Sequence, residues 1–292
     1  MSHDVHITPP SWWPIVGSIA LLLIATGLVN WLHNEWYGPY LLGAGFMVLI
    51  FMLFGWFSEI IHENRTELKG DHQYERCLRW GMGWFIFSEV CFFGVFFGTL
   101  FYARVFILPW LAGEFESSSS TLTHILLWPS FESVWPLFHT PDPSEFLGPN
   151  DVIKPWGVPA LNTLVLLTSG LTITVAHWGI VENNHRKAVW GQLLTILLGI
   201  FFLYLQAHEY HEAYTELNLT LASGIYGNIF FMLTGFHGMH VTLGTIMLIV
   251  IFFRILYGHF TPKDHFAFEA VAWYWHFVDV VWLILFIFVY WI

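Results

Sequence analysis

Long gaps between charged residues constrain this chain more than any other feature. No Asp, Glu, Lys or Arg occurs from Val5 to Asn34, Trp36 to Ser58, Pro155 to Val181, Ala188 to His208 or Leu217 to Phe253. Two further apolar stretches carry one charge each: Trp80 to Ala103 holds Glu89, and Ala270 to Ile292 holds Asp279. About 20 apolar residues cross a bilayer core, and only helices or closed barrels satisfy their backbone there. The pattern predicts an all-α integral membrane protein with seven transmembrane helices.

Composition agrees, with 11% charged and 20% aromatic residues and a mean hydropathy of +0.60. Soluble domains carry about 25% charged residues. A formal charge of −11 has the wrong sign for binding nucleic acid. Two cysteines, Cys77 and Cys91, support neither a disulfide framework nor a Cys-based zinc site. The N-terminal MSHDVHITPPSWWP lacks the basic character of a targeting peptide and is expected to be a mature end.

Basic residues set the expected orientation. With the N-terminus inside, Arg65, Lys69, Arg76, Arg79, Arg186, Lys187, Arg254 and Lys263 fall on the inner side, leaving Arg104 and Lys154 outside. The expected division is 1–62 for the N-terminal end and helices 1–2, 63–79 for an inner loop, and 80–108 for helix 3. A long outer loop follows over 109–157, then helices 4–7 over 158–292. That loop carries a Ser run and six acids against Lys154, yet LLWPSFESVWPLF has enough apolar bulk to pack, so partial order is expected. No internal repeat of the transporter kind is visible.

Glu89, in FIFSEVCFFGVFF, lies ten positions beyond Arg79, or about 15 Å along a helix and near the bilayer midplane. Among Phe85, Phe92, Phe93 and Phe96 a carboxylate is poorly solvated, so a neutral acid is expected. Intramembrane acids are functional by default, as relay, ion site or lipid-pocket group. His237 and His240 share one face of the sixth span and are possible partners of that acid. With Gly235, Gly238 and Gly244 nearby they read as helix glue ahead of metal ligation. His276 and Asp279 are expected to form a buried polar pair on the last span. Two Glu-x-x-His sequences, Glu59 to His62 and Glu182 to His185, invite a di-iron reading with Glu209 and Glu212. The motifs lie at inner span ends and the 208–212 cluster at an outer end, about 30 Å apart. Interfacial capping is the expected role of these residues, and Glu269 suits a helix N-terminus.

The stretches LRWGMGWFIFSEVCFF, VPALNTLVLLTSGLTITVAHWGIVENN, ASGIYGNIFFMLTGFHGMHV and HFAFEAVAWYWHFVDVVWLILFIFVYWI closely resemble cytochrome c oxidase subunit III. The resemblance runs from SWWPIVGS to the last residue, apart from the outer loop, which is longer than is usual for the family. It implies helices 1–2 splayed from a five-helix bundle by a V-shaped, lipid-filled cleft. It implies no haem, copper or other metal in this chain, with haem and copper in partner subunits, chiefly the adjacent subunit I. The implied role is to stabilise that catalytic subunit, keep proton uptake rapid and hold phospholipid. Glu89 matches the family's carbodiimide-reactive glutamate. Glu63, Arg79 and Arg254 fall at positions resembling lipid-headgroup contacts, and His3 and His6 lie in a segment near the family's proton-uptake surface. The acidic outer loop is expected to meet subunit II or a basic cytochrome c. A bacterial inner membrane is expected, with a mitochondrial one as the alternative. Competing readings are a quinol oxidase subunit III, which usually lacks the first two helices, a membrane di-iron oxidase and a proton-coupled transporter.

Overall fold

The computed structural model describes residues 11–66 and 72–291. His3 and His6 lie outside them. The described residues contain no strand, and seven helices are long and apolar enough to cross a membrane. The protein is an all-helical membrane protein.

The chain divides into two compact units, Met1–Tyr74 and Glu75–Ile292. The first holds α1 (Trp13–Leu32) and α2 (Gly38–Thr66). Pro14 stands in the first turn of α1, where a missing N–H costs nothing. The two helices form a hairpin whose close approach depends on small residues. A Cβ at Gly45 would lie 2.7 Å from the Ile24 backbone nitrogen, so any side chain there would push the helices apart. The Trp13 indole donates to the Glu59 carboxylate, tying the start of α1 to the far part of α2.

The second unit starts within α3 (His72–Tyr102), which continues through a π-helical segment, Ala103–Ile107, into the short α4 (Leu108–Leu111). The expected inner loop over 63–79 is therefore largely helical, because α2 runs to Thr66 and α3 starts at His72. Charged residues beyond the membrane sustain a helix as well as loop does, since backbone groups pair within it. The segment between α4 and Val158 is ordered and carries α5 (Ser118–Leu127), capped by Ser117, whose side chain accepts from the Ser120 amide at 3.2 Å. Phe131, Leu137 and Ile153 from the same segment join the core. The Asn150 amide donates to the Leu217 carbonyl at 2.8 Å.

The remaining spans are α6 (Val158–Val181), α7 (His185–Thr215), α8 (Gly224–Leu256) and α9 (Phe266–Leu285), the last running into a π-helical end, Phe286–Trp291. Asn184 caps α7 by accepting from the Lys187 amide at 3.2 Å. Two fully buried tryptophans anchor α9, and both satisfy their indole N–H: Trp275 donates to Ser169 and Trp282 to Thr163, each at 2.9 Å. Gly191 makes room for α6, since a Cβ there would lie 2.8 Å from the Ala176 nitrogen. Thr172 and Thr195 join α6 to α7 at 2.7 Å, and Gln192 donates to the Leu248 carbonyl on α8 at 2.9 Å. Small residues and polar cross-links are how membrane helices associate when lipid removes the hydrophobic drive.

Candidate functional site

The structure brings Glu89 of α3 to His240 of α8. Glu89 Oε2 lies 2.8 Å from His240 Nε2, with the two side chains 20% and 7% exposed. His240 Nδ1 lies 2.6 Å from the Phe236 carbonyl of its own helix. A carbonyl only accepts, so Nδ1 carries a hydrogen and donates it. The 2.8 Å contact then holds one proton, which sits on Glu89 as a neutral acid or on His240 as an imidazolium.

Aromatic rings wall this pair. Phe92 and Phe93 stand 5.8 and 5.0 Å from the imidazole, and Tyr274 of α9 stacks at 6.4 Å. Phe92 and Phe96 also pack edge to face or tilted on Phe236, each at 5.1 Å. α3 thus meets α8 through long side chains, with Glu89 the polar group among them.

His237 takes another place. It is buried, its Nε2 donates to the Val278 carbonyl at 3.3 Å, and Phe202 and Trp282 flank its ring. It joins α8 to α9 and does not reach Glu89. Of the three glycines expected at close helix contacts, Gly244 faces Trp275, where a Cβ would lie 2.9 Å away, whereas Gly238 faces open space. A glycine signals a close approach only when its own face is the packed one.

His276 and Asp279 stand 3.6 Å apart. Asp279 is buried against Gly170, whose Cβ would fall 2.6 Å from Oδ2, but the His276 side chain is 46% exposed. The pair is therefore half-buried, since residues three apart on a helix differ by about 60° in direction. Arg79 pairs with Glu269 and lies over the Phe266 ring at 5.0 Å. Arg254 lies over Phe260 at 4.7 Å. Glu63 is half-buried on α2.

Glu209 departs from the interfacial role expected of it. It is fully buried, and the Tyr290 hydroxyl donates to its Oε1 at 2.5 Å while Gln206 approaches the same oxygen at 3.4 Å. Tyr210 beside it pairs with Thr234 at 2.7 Å. Glu182, in contrast, is exposed and pairs with Lys187 at 2.9 Å. Among the described residues neither Glu-x-x-His sequence belongs to a group of converging metal-ligand atoms; the group that does converge is His177, His265 and Glu269. The His265-x-x-x-Glu269 spacing, two ligand types one helical turn apart, was the available signal for it.

The sequence profile described as cytochrome c oxidase subunit III matches residues 3–114 and 121–292. The chain belongs to the cytochrome c oxidase subunit III family. The one interruption in the match, 115–120, spans the N-cap and first residues of α5. The cytochrome c oxidase subunit 3 of Dugong dugon is 40% identical over 290 residues, covering 99% of this chain and 97% of its own length. That of Squalus acanthias is 40% identical with the same coverage. A Rickettsia conorii protein named as a probable cytochrome c oxidase subunit 3 is 40% identical over 291 residues, 99% of this chain and 93% of its own. As a subunit III the chain is part of a multi-subunit oxidase complex embedded in a membrane.

Proposed function

We propose that this subunit III is an accessory chain that preserves its oxidase rather than carrying the redox chemistry. It holds no haem or copper of its own, contacts subunit I, meets subunit II or cytochrome c through the outer segment, and binds phospholipid. The observation that carries this reading is the uneven burial of the spans. The apolar windows of the first three are 17%, 11% and 17% buried within the chain, against 39% to 56% for the last four. A chain with so much apolar helix uncovered is built to lie against lipid and other subunits. The basic residues at inner span ends favour an inner membrane with the N-terminus in the cytoplasm, bacterial in the leading reading.

Within this role Glu89 and His240 form a self-contained proton-sharing pair, whose contribution is to durability and to the pace of proton uptake. Glu63, Arg79 and Arg254 are the groups proposed for phospholipid headgroups, since a guanidinium can pair with phosphate in two-pronged fashion. His3 and His6 are proposed for the proton-uptake surface.

The test is to strip the chain from the purified complex in mild detergent and follow oxygen reduction over many turnovers. Initial electron transfer close to that of the intact complex, followed by progressive inactivation, is the expected result. Immediate loss of oxygen reduction would show that the chain takes part in the chemistry.

A further inference from the structure

On the side of the second unit where α3 and α9 begin and α6 ends, His177, His265 and Glu269 each turn one ligand atom into a common space, all within 4.8 Å of one another. His265 Nε2 lies 3.2 Å and His177 Nε2 3.8 Å from Glu269 Oε1. Ligands bound to tetrahedral zinc at about 2.0–2.1 Å sit about 3.3 Å apart, so His265 and Glu269 already stand at that spacing while His177 has to move inward.

The hydrogen bonds around these atoms direct lone pairs inward. His265 Nδ1 lies 3.0 Å from the Thr261 carbonyl, and because that oxygen only accepts, Nδ1 carries the hydrogen. Nε2 then faces a carboxylate oxygen at 3.2 Å, a contact that either a proton or a metal ion between the two atoms satisfies. A backbone carbonyl on the outer ring nitrogen is also the usual way a ligating histidine is oriented. His177 Nε2 is buried with no hydrogen-bond partner among the described residues, and its ring is held by stacking on Phe268 at 5.6 Å. Glu269 has its other oxygen, Oε2, held by Arg79, which leaves Oε1 as a single fixed donor.

We infer that His177, His265 and Glu269 form a site for a divalent zinc-type cation, with two imidazole nitrogens, one carboxylate oxygen and a fourth position open to water. Borderline-soft zinc suits this mixed nitrogen and oxygen set better than magnesium or calcium, which prefer all-oxygen cages. Arg79 opposes the incoming charge and weakens the site, while His177, near the C-terminal end of α6, lies where the helix dipole favours a cation. The bound ion staples α6 to the start of α9, with α3 attached through Arg79. This inference does not depend on the proposed accessory role.

The experiment compares the intact complex with complexes carrying His177→Gln or His265→Gln. Each is equilibrated with Zn²⁺, freed of excess by gel filtration and assayed for zinc by mass spectrometry. The wild type is expected to retain one zinc more per complex than either variant. Equal zinc in all three, with the chain present in equal amount, overturns the site. Where a variant fails to assemble, protection of the wild type from chemical modification decides. Bound Zn²⁺ should shield His177 and His265 from acylation by diethyl pyrocarbonate, read peptide by peptide, and unchanged modification of both residues overturns the site.

Discussion

The Tyr290 hydroxyl donates to Glu209 Oε1 across 2.5 Å, joining the π-helical end after α9 to the C-terminal part of α7. Gln206 is the other polar group approaching that oxygen, at 3.4 Å. Removing the hydroxyl leaves a fully buried carboxyl group short of its best donor, which costs about 1–3 kcal/mol. Tyr290→Phe should lower the unfolding midpoint of the chain in detergent. Tyr290→Phe combined with Glu209→Leu should recover part of the loss, because both polar partners are then gone. An unchanged midpoint in the single variant would show the contact to be without energetic weight.

The Glu89–His240 pair holds one proton at 2.8 Å, and an amide in place of the acid can donate to the same nitrogen. Glu89→Gln should therefore assemble normally, with a modest effect on proton pumping or on durability. Leucine in its place strands the His240 nitrogen and should cost about 1–3 kcal/mol more than glutamine. A lipid-soluble carbodiimide should label Glu89 in the wild type ahead of Glu63, measured by peptide mass spectrometry. Complete loss of pumping in the glutamine variant, with the complex intact, would give Glu89 a direct place in the proton path.

Arg254 is proposed to meet phospholipid from the inner end of α8. Arg254→Ala should lower the tightly bound phosphorus per complex and hasten inactivation during turnover. Unchanged phosphorus in an assembled variant would remove Arg254 from the lipid site.

Asp142 lies in the segment between α5 and α6, where its Oδ1 accepts from the Ser144 hydroxyl at 2.5 Å and from the Ser144 amide at 3.0 Å. These bonds, first the hydroxyl and then the amide, hold the carboxyl below its ordinary range. A depressed folded-state value means that the turn is favoured above the ordinary carboxylate pKa of about 3.9 and loses that support as pH falls through the lower value. Protease cleavage near Asp142 should rise on acidification, and Asp142→Asn should show weaker pH dependence. Cleavage independent of pH in the wild type would refute it.

What could be read beforehand and what could not divides by the range of the interaction. The span count follows from gaps between charges, because each helix must individually satisfy the bilayer. Glu89 stands out because an isolated acid among phenylalanines is expensive at the midplane. Glu209 was misplaced: QAHEYHEAY looks interfacial, and its burial depends on Tyr290, 81 residues away. His177 meets Glu269 only because two antiparallel spans end and begin on one side, and that convergence lies in the packing rather than in any local run. His237 and His240, adjacent on one helix face, part company because α3 covers one and α9 the other.

The sparse burial of α1 and α2 also governs which substitutions selection will notice. Leu21, Leu22 and Phe54 are 61%, 64% and 75% exposed within the chain, so the chain's own fold asks of them only that they be apolar. Swaps among leucine, isoleucine, valine and phenylalanine at such positions are neutral as far as this chain is concerned. At Gly45 even one methyl is too much. The hairpin should therefore drift freely over most of its surface between lineages while a few small residues along its seam stay fixed.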